Sequence, residues 1–555
     1  MPLKPVFSRS PILTVPYCFP ASGTVRTSDE RIRNLYQKAN QYIDKPCLWE
    51  GLFRLACLTK NKPLEEPVAN LILRNADVTE NGAFSGNISD QTDTARAILA
   101  LFEYNTDKTL LKRLADWLRY FEIEYDNLIL QDGVLFCPAD LMEFLVRFYR
   151  ASGVKSALRL CARLRADSFD WTTALHTFQQ SIPLTQNETE MPDLFFGIKP
   201  DMIEYDQKER LINHSELLAD GVRYSVYAGI YSGHNRDLSA GQTVWPYLLK
   251  HHHALCGGVT GNPYLSGNAS DQTISNRTLC AWTEAFASQM AVSESPWAVS
   301  ELIRIIYNGL DDCLNCEKIT ETQRINSVSD HNDPPSNPAK LYSRLCRAVA
   351  AVCSHAVSMN ENGIRINYPL PGKYLIMIRK QSIMLCAEND TITVQCKKPV
   401  DARIELFLPA TGTGYAVTAG KDGDACNMPE DVSDNQYICL NTSWEDQDMI
   451  RYVQNGRIYD EETHHHGFAF MKANRLLSMP VSDTGFARAV CDLPVINERN
   501  QIMLPTEASE KWTLKGPEPA DIPVYPETKG PRTMTELITY SDCRKRITMF
   551  PRKRS

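Results

Sequence analysis

Apolar residues recur at spacings of three and four from about Ser28 to His355, and at a spacing of two from Gly363 onward. That change of period divides the chain into a helical half and a strand half, because a helix brings residues three and four apart onto one face and a strand alternates its faces. Ile32, Leu35, Tyr36, Ala39 and Tyr42 form one helical stripe, and Leu110, Leu111, Leu114, Trp117 and Leu118 form another. Runs at 140–151, 155–165, 215–230, 278–291, 297–310 and 341–357 repeat the pattern between Gly, Pro and Asn breaks. In the second half, 363–368, 374–378, 381–385, 391–396 and 404–408 read as short strands, with others expected at 436–441, 468–471, 536–540 and 546–550. Helices followed by strands predict an α+β multidomain chain. Its expected parts are an arm over 1–27, an all-helical domain over 28–358, a β-sandwich over 359–490, and a linker with returning strands over 491–555.

The helical half contains a duplication. Seven of eight residues agree between Ser85-Gly86-Asn87-Ile88-Ser89-Asp90-Gln91-Thr92 and Ser266-Gly267-Asn268-Ala269-Ser270-Asp271-Gln272-Thr273, and Arg96 and Arg277 follow at the same offset. If both copies are turns entering helices, Ser89, Asp90, Ser270 and Asp271 are N-caps, whose oxygens accept from the free amides of a first turn. Capping does not account for the preceding Ser-Gly-Asn or for the arginines. A second reading therefore stands beside it: two equivalent loops at the rim of a closed helical fold, contacting a sugar or an anion. With both loops on one cavity, Asp90 and Asp271 form a carboxylate pair of the kind that acts as acid and base in glycoside hydrolysis.

Other polar residues can reach such a cavity. His214 stands at a helix start, His253 ends the cluster His251-His252-His253, and Glu284 and Glu301 lie on successive helices. Neither that cluster nor His464-His465-His466 reads as a metal site, because adjacent residues diverge around a helix axis. Cys280 lies one turn into a helix, where the dipole can lower a thiol pKa. Cys313 and Cys316 have metal or redox spacing, but no second such pair completes a zinc site.

Composition narrows the functional classes. Acidic residues exceed basic ones, 67 to 59, giving a net charge of −8, whereas nucleic-acid binders usually carry a basic patch or stripe. Seventeen scattered cysteines read as reduced thiols and not as a disulfide framework. Prolines at 2, 5, 11, 16 and 20 interrupt any signal core, and no 18-residue apolar run occurs, so a cytoplasmic protein without membrane contact is expected. Phosphate-binding loops, GxSxG and HExxH are missing from the sequence.

Several segments in order resemble glycoside hydrolase family 127, the β-L-arabinofuranosidase-like proteins. They are Gly257-Gly258-Val259-Thr260-Gly261-Asn262-Pro263-Tyr264-Leu265-Ser266-Gly267, Leu279-Cys280-Ala281-Trp282-Thr283-Glu284, Trp297-Ala298-Val299, and 301–308. Asp333-Pro334-Pro335-Ser336-Asn337 with Arg344, Arg365-Ile366-Asn367-Tyr368-Pro369, His466-Gly467-Phe468-Ala469-Phe470 and 537–542 continue the likeness. The resemblance implies an (α/α)6 helical barrel followed by an antiparallel β-sandwich. It also implies a cysteine nucleophile held on zinc with further thiolates and a Glu, plus a separate Glu as acid. Here Cys280 alone matches: Thr278 stands at the Glu position, Asn332 and Asp333 at the paired cysteines, and Asn262 or Pro263 at the acid. No bound metal is expected, since one thiol does not make a tetrahedral zinc site.

Two functions follow. The first is a glycoside hydrolase acting on a terminal sugar through relocated residues, with Asp271, Asp90, Glu284 and Cys280 catalytic and His214, His253, Asn262, Asp333, Arg277 and Arg96 binding substrate. The second is an inactive carbohydrate-binding or scaffold protein that retains the barrel.

Overall fold

Fifteen α-helices are described, in this order: α1 (Ser28–Asn40), α2 (Trp49–Thr59), α3 (Lys62–Asn75), α4 (Ile88–Asn105), α5 (Lys108–Leu128), α6 (Ala139–Ser152), α7 (Lys155–Asp167), α8 (Trp171–His176), α9 (Tyr205–Asn213), α10 (Ser215–Ser232), α11 (Asn235–His251), α12 (Asn276–Met290), α13 (Trp297–Arg304), α14 (Asp311–Asn315) and α15 (Pro338–His355). The computed structural model describes residues 12–13, 28–59, 62–181, 197–269, 272–292, 296–316, 318–327, 333–360, 363–378, 381–388, 390–409, 415–421, 435–454, 458–463, 467–481, 488–490, 492–508, 532–543 and 545–550. Asp271, Ser270 and His464 to His466 lie outside the described residues, as do most of the 1–27 arm and of the proline-rich 507–532 stretch.

Six helices close a ring: α2 packs on α4, α4 on α6, α6 on α10, α10 on α12, α12 on α15, and α15 back on α2. The remaining helices form an outer layer, α1 on α2 and α15, α3 on α2 and α4, α7 on α6, α11 on α10, and α13 on α12. Amphipathicity sorts the two layers. Outer α5 buries Leu110, Leu114, Trp117, Leu118, Phe121 and Tyr125 on one stripe, whereas inner α10 and α12 are buried around nearly their whole circumference. No helix of the described residues is long and apolar enough to cross a membrane.

Strands take over directly after α15. One sheet runs in the order 12–13, 372–378, 381–388, 391–396, 449–454, 415–420, and a second in the order 436–444, 400–408, 363–366, 357–360. Their inward residues, among them Ile383, Leu385, Val394, Ile404, Leu406 and Leu440, belong to one continuous core. Pairing is antiparallel except between 363–366 and 400–408, which run parallel. In a third sheet the late strand 533–539 inserts between 475–480 and 502–508, so the chain's end does return to a sheet.

Candidate active site

The inner helices all point the same way. Residues at or just before their N-terminal turns (Cys47, Asp93, Asp140, His214, Arg277 and Lys340) line one cavity of about 380 Å³. Residues near their C-terminal ends line another. Six helix N-termini converging on a concavity give it positive backbone dipoles and free amides, which suits charged or hydroxyl-rich ligands.

The floor of the first cavity is an ion network. Arg344 of α15 donates from Nε to Glu216 Oε1 at 3.2 Å, from Nη1 to Asp220 Oδ1 at 3.1 Å and Glu284 Oε2 at 2.8 Å, and also binds Asp220 Oδ2. Arg277 binds Glu216 Oε2 at 2.7 Å. Asp140 is gripped by Arg96, Arg223 and Arg347. Burial pushes the carboxyls of Glu216 and Asp140 up, but these guanidiniums outweigh it and hold both below the usual range, Asp140 well below. Both are therefore fixed, ionised groups.

Asp93 behaves differently. Burial first, and the nearby Asp140 charge second, raise its pKa to about 7 against the opposing pull of Arg96 and Arg347. It is a carboxyl that keeps its proton near neutrality, on a wall where other carboxylates are ionised. Asp132 faces the same cavity from the turn before α6 in a left-handed conformation, φ 56°, and its buried Oδ2 has no hydrogen-bond partner among the described residues. Non-glycine residues held at positive φ are a recurrent mark of functional sites. His214 caps α10, its Nδ1 accepting from the Leu217 amide at 3.3 Å, and burial lowers its pKa to about 4. The ring is thus neutral, with Nε2 carrying the proton.

Of the residues singled out in sequence, His214 and Arg277 line this cavity. Arg96 lies deeper on the barrel axis, paired with Glu50 and Asp140. Glu284 is locked by Arg223, Arg344 and Arg347 and faces the opposite cavity. His253 sits apart, its Nε2 3.2 Å from Glu301 and its ring edge-on to Trp245. Asn262 and Asp333 are exposed and line neither cavity.

The duplicated loops diverge. In the first copy Asn87, not Ser89 or Asp90, caps α4, accepting from the Asp90 amide at 2.9 Å. Asp90 folds back over Gly86, where an added Cβ would meet the Asp90 side chain at 2.7 Å and φ is +91°. It closes its own loop and is not part of the cavity wall. The second copy enters a strand, not a helix: 273–275 pairs with 322–324, and α12 starts at Asn276 behind an N-cap Ser275.

The thiol chemistry implied by the resemblance lacks its parts. Cys280 is fully buried in the apolar core, and burial, with the nearby Glu284 charge, pushes its thiol well above the ordinary value. The Thr278 hydroxyl is 2.8 Å from Ser215 Oγ and takes part in local structure. Among the described residues no group of three or more His, Cys, Asp or Glu is placed to hold a metal ion. The donors among the described residues do not fit the zinc site that the resemblance implies. Cys313 and Cys316 each donate to a neighbouring oxygen, Asn276 Oδ1 and the Asp312 carbonyl, both at 2.9 Å. Iodoacetamide applied to the folded protein is accordingly expected to leave Cys280 unmodified by peptide mapping and to label it after denaturation. Rapid native labelling would restore it as a nucleophile.

A closed ring of six parallel inner helices with an outer helical layer, followed by packed β-sheets, defines an (α/α)6 barrel with β-domains. No family model matches the sequence, and neither does any curated protein. Solved structures do match in fold. One described as a glycoside hydrolase superposes with a TM-score of 0.72 at 11% identity, over 99% of this chain and 98% of its own. A GH127 β-L-arabinofuranosidase from Geobacillus stearothermophilus T6 gives 0.67 at 12% identity, over 95% and 94%. A second GH127 β-arabinofuranosidase gives 0.64 at 12%, over 94% and 92%. The chain has the fold of glycoside hydrolase family 127.

Proposed function

We propose that the cavity at the N-terminal ends of the inner helices is the active site of a glycoside hydrolase that removes a terminal sugar, with Asp93 as general acid and Asp132 as its carboxylate partner. One observation carries this reading: Asp93, raised to about 7, shares a wall with Asp132, a carboxylate that no arginine pins. Glycosidic cleavage needs a protonated carboxyl as acid with a second carboxyl beside the scissile bond, and the raised Asp93 with Asp132 on the same wall supplies two such groups. Neutral His214 and the Arg277 guanidinium, with the ionised Glu216, supply donors and acceptors for sugar hydroxyls. Two of the matched structures are GH127 β-arabinofuranosidases by description, which supports a β-L-arabinofuranoside as the first substrate to test. The chemistry proposed here uses no zinc and no thiolate. Asp271 remains a second candidate for the partner carboxyl on the strength of the sequence alone.

The alternative, an inactive sugar-binding protein, is favoured by the guanidinium grip on Glu216, Asp220 and Asp140, which immobilises three of the cavity's carboxylates. A panel of aryl glycosides including the β-L-arabinofuranoside separates the two. Turnover that falls at least about 100-fold in Asp132→Asn is expected for the enzyme. Saturable sugar binding without turnover across the panel decides for the binding protein.

A further inference from the structure

The C-terminal ends of the inner helices surround a second cavity, of about 390 Å³. We propose that it binds a neutral monosaccharide, at a site separate from the one assigned above to hydrolysis and independent of that assignment. Six guanidiniums and four glutamates line it among the described residues. Asp140, held by Arg96, Arg223 and Arg347, and Asp220, 3.1 Å from Arg223, lie beneath and bring the carboxylates to six. The charges cancel. An ion of either sign entering this space gives up its hydration for no surplus counter-charge, whereas a neutral polyol does not meet that cost.

The ion pairs also make the wall rigid before any ligand arrives. Arg147 spans Glu50 at 3.2 Å, Glu103 at 2.8 Å and Glu143 at 2.9 Å, and Glu284 is held by Arg347 at 2.7 Å and Arg223 at 3.2 Å. A wall set in advance binds without the entropy cost of ordering side chains.

Acceptors wait on α15. His355 Nδ1 lies 2.8 Å from the Ala351 carbonyl, so that nitrogen carries the proton. Burial lowers the pKa of the ring and keeps it neutral, and its Nε2 is an acceptor with no hydrogen-bond partner among the described residues. Ser354 spends its proton on the Ala350 carbonyl at 2.8 Å and keeps its oxygen lone pairs. The last carbonyls of each helix lack intrahelical partners and add to these. A ring of hydroxyls supplies the donors that such a set takes. Ala287, Ala291, Ala350 and Ala351 give the C–H face of a sugar ring an apolar surface without bulk. The volume lies within the range of small-molecule sites, about 300–1,000 Å³, and the Arg54 and Arg147 side chains, 28% and 18% exposed, stand where it opens to solvent.

The test is calorimetric titration of the full chain with L-arabinose, D-xylose, D-glucose and D-galactose, and with inorganic phosphate and methylammonium as charged probes, at constant ionic strength. A saturable component is expected for at least one sugar that survives in Arg277→Gln and in Asp132→Asn, both at the other cavity. The same component should weaken about tenfold in His355→Ala, which removes the acceptor, and vanish in Ala291→Trp, which fills the space. Four sugars without such a component overturn the proposal. So does a component lost in Arg277→Gln or Asp132→Asn but kept in the other two variants, and so does saturable binding of a charged probe that Ala291→Trp abolishes. Circular dichroism of each variant accompanies the titrations, and His355→Ala, at the end of its helix, carries the decision where Ala291→Trp fails to fold.

Discussion

Asp93→Asn is expected to lower kcat by about 10²–10⁴-fold on a hydrolysed glycoside and to make the folded protein more stable above neutral pH. As general acid, Asp93 works only while protonated, so the parent's kcat should fall as pH rises through about 7. The variant should lack that limb. The stability effect has the opposite sense for a linked reason. The folded-state pKa is raised above the unfolded value near 3.8, so Asp93's favourable contribution is full below about pH 4 and disappears as pH climbs through about 7. Removing the charge spares the fold up to about 4 kcal/mol above that pH. Urea midpoints of parent and variant, compared at pH 5 and pH 8, should separate further at pH 8. A variant with parental kcat and an unaltered pH profile eliminates Asp93 as the acid.

Glu284→Gln should do the reverse, costing about 3–5 kcal/mol of stability, because breaking a buried pair strands its partners. Three guanidiniums, Arg223, Arg344 and Arg347, converge on this one carboxylate. Burial alone raises its pKa, and the three arginines overcome that and hold it below the ordinary value. Its contribution is therefore present above the unfolded pKa and lost as pH falls through the depressed folded value, so the variant should lose the parent's steep acid unfolding. The readout is the guanidinium chloride midpoint at pH 7 and pH 4. A Glu284→Gln protein as stable as its parent, but inactive, would return Glu284 to the catalytic list.

The division into helices and strands is legible because period belongs to the residues themselves: α1 opens at Ser28 and α15 closes at His355, inside the predicted stretch. The second octapeptide misleads for a physical reason. Equal residues enter unequal surroundings: Asp93-Thr94 continue a helix after the first copy, whereas Ile274 after the second bridges Gly261 and pairs with residues near 323. Those partners are distant in sequence, and local pattern is silent about them.

The site itself left a fainter mark. Asp140, Glu143 and Arg147 on α6, Glu216, Asp220 and Arg223 on α10, and Arg344 and Arg347 on α15 fall at helical spacing. On a single helix such a stripe reads as the solvent face, and only closure of the ring turns it inward. Asp93, three residues before Arg96, shares that inward face. The cue was there in the opposite faces of these helices, which are apolar too, leaving no side for water.

Arg96, Arg223, Glu284 and Arg347, at 3%, 2%, 5% and 7% exposure, fill the axis between the two cavities. They stopper the lumen, so each opening is a cul-de-sac. A polysaccharide cannot thread through it, and whatever saccharide enters the N-terminal mouth must back out by the same door. For the hydrolase proposed above, such a shape would admit a chain end and nothing from its middle, and each released residue would have to leave before the next could dock.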